Sequence, residues 1–104
     1  MIFDLVEHLE RQRNFSLKTF GPGKREQGVV NHIRKELNEI LEKPDDLEEW
    51  IDVVLLALDG AWRTGATSEE IAEMVRFKQS KNEKRNWPDW RTMNESDPIE
   101  HKKD

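Results

Sequence analysis

The sequence contains no cysteine, which excludes a disulfide framework, thiolate metal sites and a cysteine nucleophile together. Long apolar runs are missing too: the longest, residues 53–58, is far too short to span a membrane. Positive charge is in deficit, with 17 Lys and Arg against 22 Asp and Glu and a formal net charge of -5. Long nucleic acids, which are held by a basic footprint, are therefore not an expected partner. The opening residues carry no basic segment and reach an acid at Asp4, so no secretory signal is expected and a cytoplasmic location is the natural reading. No glycine-rich loop opens a helix and no Ser or Thr constellation with His occurs, which leaves a P-loop and covalent catalysis without support.

What is present reads as helix. A length of 104 residues admits one compact domain. With 35% hydrophobic residues against 38% charged, the core must be small, so a layered helical domain or an oligomer is the economical arrangement. The spacing predicts a first helix over about 2–15, with Ile2, Leu5, Val6 and Leu9 on one stripe. Residues 16–25, which include Gly21-Pro22-Gly23, form a basic loop. A second helix spans about 27–42, with Val30, Ile33, Leu37, Ile40 and Leu41 at helical spacing, and is stopped by Lys43-Pro44. Asp45 or Asp46 caps a third, which places Leu47, Trp50, Ile51, Val54, Leu58 and Trp62 on one face and ends at Thr64-Gly65. Residues 53–58 make its middle apolar nearly all round, so it is central in its fold or lies at a subunit interface. Thr67 and Glu70 form a capping box for a fourth helix to about Asn86, with Ile71 and Val75 turned to the core. No strand is expected. The domain occupies 1–91, and 92–104 is read as a mobile tail.

The chemistry is carried by two acid pairs. Glu36 and Glu39 are neighbours on one face of the second helix, and Glu49 and Asp52 repeat the spacing on the third. The short break between these helices makes them antiparallel, so the pairs face each other across a groove. Four converging carboxylates repel and raise one another's pKa unless a cation neutralises them, and hard oxygen donors select Mg²⁺ or Mn²⁺. The plain alternative is a pair of solvated acidic faces, as Glu7 and Glu10 illustrate. On the fourth helix the stripe of Ile71 and Val75 continues into Lys78, Asn82 and Arg85, with Lys81 beside them, a cationic end suited to phosphate or to the helix C-terminus. Lys18, Lys24 and Arg25 are read as a solvated loop, and His32 as a surface residue with a supporting place beside Glu36 as the alternative. Trp50 and Trp62 are assigned to core or interface, and Trp87 and Trp90 to a cap that packs the chain end.

Glu36-x-x-Glu39, followed after nine intervening residues by Glu49-x-x-Asp52, resembles the MazG-like all-α nucleoside triphosphate pyrophosphohydrolases. Phe20-Gly21-Pro22-Gly23, His32-Ile33-Arg34-Lys35-Glu36-Leu37, the run 46–54, Ala57-Leu58-Asp59-Gly60-Ala61-Trp62-Arg63 and Lys78-Gln79-x-Lys81-Asn82-Glu83 look like its dATP/dGTP diphosphohydrolase, MazZ-type branch, found in phages and prophages. The chain departs from the longer form of the family pattern in having Lys35 where a further Glu often stands.

The resemblance implies a four-helix MazG-like bundle whose central antiparallel pair carries the metal site. It also implies hydrolysis of a nucleoside triphosphate, dGTP or dATP foremost, to the monophosphate and pyrophosphate. Glu36, Glu39, Glu49 and Asp52 would bind Mg²⁺, or Mn²⁺, with Glu39 able instead to orient or deprotonate the attacking water. Lys78, Lys81, Asn82 and Arg85 would bind the departing pyrophosphate, and the family's homodimers or homotetramers would be the working assembly. Two rivals stand beside this reading: a non-catalytic helical interaction module of phage origin, and a metal-dependent enzyme that removes phosphates singly.

Overall fold

A computed structural model describes residues 1–103. It is all-α: α1 (Leu5–Thr19), α2 (Glu26–Glu42), α3 (Leu47–Trp62) and α4 (Ser68–Lys84), followed by a 3-10 turn at Trp90–Thr92, with no strand among the described residues. The four-helix, all-α class is as the periodicity predicts. The chain divides into two compact units, Met1–Ala72 and Glu73–Asp104.

Local chemistry sets the helix ends. α1 begins later than expected because Asp4 caps it, accepting from the backbone N–H of Val6 at 2.9 Å and of Glu7 at 3.3 Å. It also continues through residues expected as loop: Ser16 is buried within it, and the helix stops only ahead of Gly21, whose φ of 87° is a left-handed conformation that glycine adopts freely. Asp46 caps α3, accepting from Glu48 N–H at 3.0 Å. The Thr67 and Glu70 capping box forms as expected, with reciprocal bonds of 3.1 and 2.9 Å.

In the first unit α3 packs on both α1 and α2. Leu9, Val29, Ile40 and Ile71 are its buried apolar residues. α2 and α3 run antiparallel around the turn at Pro44: Glu36 meets Glu49 and Asp52 near that turn, while Val29 approaches Gly60 farther from it. At the start of α4, Ser68 Oγ donates to Glu10 Oε1 at 2.6 Å and ties that end to α1.

Of the two places expected for α3, core or subunit interface, its residues Leu47, Trp50, Ile51 and Val54 do not take the first: they are exposed in the single chain, with Trp50 51% accessible, while Asp52, Leu56 and Asp59, and Arg63 just beyond the helix, are the more buried side. An apolar-all-round helix gives periodicity no means of choosing a face. Ile71 is buried as expected, but Val75 is exposed. In the second unit, Trp87 does meet the chain end, lying 5.9 Å from the His101 ring and donating to Asn82 O at 2.7 Å, but Trp90 is exposed. The tail returns to the end of α4 there, with Lys102 N–H donating to Asn86 O at 2.7 Å.

Two substitutions test this packing by urea denaturation. Leu9, 1% exposed, should cost about 3 kcal/mol when cut to Ala, within the usual large-to-small range. Gly60→Ala should stabilise by about 0.5–1 kcal/mol, because a helical glycine gives way to alanine and the added Cβ would meet Val29 Cγ1 at an ordinary 3.5 Å.

Candidate active site

The antiparallel α2–α3 pair brings the predicted acids together. One carboxylate oxygen from each of Glu36, Glu49 and Asp52 lies within 4.8 Å of the other two. Glu36 is buried and Glu49 and Asp52 half-buried. Glu36 Oε2 and Glu49 Oε2 are buried with no hydrogen-bond partner among the described residues. Buried carboxylate oxygens left unpaired are costly, and hard oxygen donors at this spacing suit a small divalent cation. The residues present therefore fit a metal ion.

Glu39 stands at the edge of that trio. Burial pushes its carboxyl up, but the Lys35 ammonium and hydrogen bonds with Glu36 and Glu49 outweigh this and hold it below the usual range. Glu49 moves the other way, raised by burial and then by the charge of Glu39 and a hydrogen bond with it, with Asp46 and Asp52 adding repulsion. The two carboxyls thus divide their roles: Glu49 retains a proton more readily and Glu39 stays ionised. Lys35 has its Nζ 3.6 Å from Glu39 Oε1 and 3.9 Å from Glu36 Oε1. His32 is not a plain surface residue: its Nε2 is 3.5 Å from Glu36 Oε1.

Beside the acids lies a cavity of about 430 Å³, within the range of small-ligand sites. Glu36 and Asp52 belong to its wall as well as to the acidic trio. α1 contributes His8, Arg11, Gln12, Phe15 and Ser16; α3 contributes Leu55, Leu56 and Asp59; His32 and Phe20 complete it. The rings of Phe15 and Phe20 meet edge to face at 6.2 Å, and those of Phe20 and His32 at 6.5 Å. Gln12 is fixed in orientation. Its Nε2 donates to Leu55 O at 2.7 Å, which forces Oε1 toward His8 Nε2, 2.8 Å away, so that His8 donates there.

The α1 residues and Asp59 were not among the expected site residues. Their signal was the helical spacing of His8, Arg11, Gln12 and Phe15, a mixed polar and aromatic stripe. The basic group falls in the second unit. There Lys78 and Lys81 are exposed, Asn82 and Arg85 are half-buried, and Arg85 Nη1 donates to Asn82 Oδ1 at 3.2 Å. Among the described residues no helix is long and apolar enough to cross a membrane.

The chain is thus all-α, with acids of two successive helices meeting beside an apolar cavity. The chain belongs to the dATP/dGTP pyrophosphohydrolase family, whose model matches residues 8–104. That family name denotes hydrolysis of phosphoric anhydrides, and the match spans both the acid pairs and the basic end of α4. No curated protein and no solved structure matches the chain.

The opposed shifts of Glu39 and Glu49 have a thermal consequence. Because the folded-state pKa of Glu49 is raised, its share of stability is present below its unfolded pKa and is lost as pH rises through the folded value. In EDTA at neutral pH, Glu49→Gln should therefore melt higher than wild type, and the difference should shrink on acidification into the carboxylate range. A saturating divalent ion should raise the wild-type melting temperature more than that of Glu49→Gln. Differential scanning fluorimetry over a pH series, with metal and with EDTA, measures both.

Proposed function

We propose that the protein is a Mg²⁺-dependent enzyme that hydrolyses a deoxynucleoside triphosphate, dGTP or dATP foremost, to the monophosphate and pyrophosphate. The observation that carries this reading is the double membership of Glu36 and Asp52, which belong both to the acidic trio and to the wall of the 430 Å³ cavity. A ligand with an aromatic base and a polyphosphate needs those two environments side by side. Phe15, Phe20 and Leu55 offer apolar surface to the base, and Glu36, Glu49 and Asp52 offer oxygen donors to a cation that accompanies the phosphates.

When bound, the divalent ion supplies positive charge to the triphosphate and makes water acidic enough to act as a nucleophile. The protein's own groups supply the rest. Glu36, Glu49 and Asp52 would hold the ion, and Glu39, at the edge of that trio, would orient the attacking water or take its proton. Water attacks the α-phosphorus, the α–β anhydride bond breaks, and pyrophosphate leaves. Lys78, Lys81 and Arg85 would offer positive charge to the departing pyrophosphate and Asn82 an amide donor.

A homodimer or homotetramer is the working assembly in this reading, in the cytoplasm of a phage-infected or lysogenic cell. The exposed apolar residues Leu41, Leu47, Trp50, Ile51 and Val54 support it, since a single chain leaves them in water.

The test is a panel of purified dNTPs and NTPs incubated with Mg²⁺ or with EDTA, the products resolved by chromatography. Monophosphate and pyrophosphate, formed only with the metal, are the expected products. Orthophosphate would mean a phosphatase acting stepwise, and no turnover of any nucleotide would leave a helical interaction module. Glu39→Gln and Asp52→Asn should each lower kcat by at least about 100-fold, the scale of general-base and charge-stabilising groups, with unchanged far-ultraviolet circular dichroism.

A further inference from the structure

The proposed chemistry leaves one charged pair in the first unit without a task. The Arg63 side chain is 1% exposed and that of Asp59 6%. Burying both charges is costly unless they are paired and hydrogen-bonded, and of their polar atoms only Arg63 Nη2 is left without a partner among the described residues. Arg63 Nε donates to Asp59 Oδ2 at 2.9 Å, and Nη1 donates to both Gly21 O at 2.9 Å and Gly23 O at 2.8 Å. Asp59 Oδ1 accepts from Trp62 Nε1 at 3.0 Å, and the Trp62 ring lies 4.5 Å from the guanidinium carbon. Neutralising one aspartate would take only the first of these bonds. The other two fasten a distant loop to α3.

That loop is built to be fastened. Gly21 and Gly23 have φ values of 87° and 95°, while an added Cβ at either would meet nothing within 4 Å. Glycine is required there by backbone conformation and not by space, and the conformation turns two carbonyls toward one guanidinium. Phe20 immediately precedes Gly21, and its ring, with Phe15 and His32, forms the aromatic part of the cavity wall. Asp59 lines the same cavity.

We propose that Asp59 and Arg63 are a positioning pair that locks the Phe20–Gly23 loop to α3 and so sets the wall against which a nucleoside packs. Arg63 acts through the loop and does not meet the ligand. The identity of that ligand rests on the function proposed above; the lock itself does not.

Two variants approach the lock from opposite sides. Arg63→Lys keeps the charge beside Asp59 but has no planar fork to span a carboxylate and two carbonyls. Gly21→Ala leaves Arg63 intact and strains the backbone at a positive φ. Amide hydrogen exchange on the ligand-free protein should show residues 20–25 exchanging at least about tenfold faster in both variants, the scale of a lost charged hydrogen bond, with α1 protection around Leu9 unchanged. Calorimetry with Mg²⁺ should show a non-hydrolysable dNTP analogue weakened by about tenfold while inorganic tripolyphosphate, which has no nucleoside, changes by less than about twofold. KM should rise with kcat nearly constant.

Unaltered loop exchange in both variants overturns the lock, whatever the ligand. Faster loop exchange with equal weakening of analogue and tripolyphosphate, or with neither weakened, overturns the nucleoside role. A wild-type protein that binds no nucleotide overturns the proposed function and the nucleoside role with it, and hydrogen exchange then decides the lock alone.

Discussion

Mutual repulsion among carboxylates across one antiparallel helix pair is the constraint on which the site depends. The turn at Pro44 sets Glu36 near Asp52 and Glu39 near Glu49. Left to themselves, four such charges would drive α2 and α3 apart or hold protons. The chain relieves them only in part: Lys35 neutralises the Glu39 corner, His32 stands by Glu36, and Glu49 shifts toward its protonated form. Two buried oxygens still have no partner among the described residues. Where the protein's own compensation stops short, the oxygens left over fit a cation. In the proposed function the same incompleteness lets a chain of net charge -5 take a polyanion, since a divalent ion there would reverse the local field.

The acid groove was legible because everything that builds it is local. Helical spacing fixes Glu36 with Glu39 and Glu49 with Asp52, and Lys43-Pro44 with the Asp46 cap fixes the turn between them. Chain geometry then leaves little freedom in how the pairs meet. The cavity wall was not legible in that way. His8, Arg11, Gln12 and Phe15 form a stripe that reads like solvated surface until α3 is packed against it and Leu55 O takes up the Gln12 amide. Asp59 and Arg63 were visible as an i, i+4 pair, but the two carbonyls that Arg63 holds lie forty or more residues earlier in the chain, and no local rule selects them.

The sequence left the outward stripe of α3 open between core and interface for a related reason. The rule that apolar residues face the core assumes that the core belongs to a single chain. α3 turns Asp52, Asp59 and Arg63 inward, where each has chemical or structural work, and leaves Trp50, Ile51 and Val54 outside. Its inward side therefore mixes these polar groups with half-buried Val53, Leu55, Leu56 and Leu58. A helix of this kind places the polar site and the apolar surface back to back on one rigid element, so anything that packs on that surface also bears on the orientation of the acids.

Two clusters of charge in the same unit are thus handled in opposite ways, and the contrast separates architecture from chemistry. Asp59 and Arg63 commit both carboxylate oxygens and two of the three guanidinium nitrogens to the protein, leaving Arg63 Nη2 without a partner among the described residues, and their bonds tie the loop to α3. Glu36 and Glu49 each keep a buried oxygen uncommitted, an arrangement that fits a cation the chain does not itself supply. Both clusters reach the same cavity, the first through Phe20 and Asp59 and the second through Glu36 and Asp52. A fixed wall at one end and an unsatisfied cage at the other together favour a ligand that carries a flat, apolar part and a multiply charged part at a set distance, and a nucleoside triphosphate is a molecule of that kind.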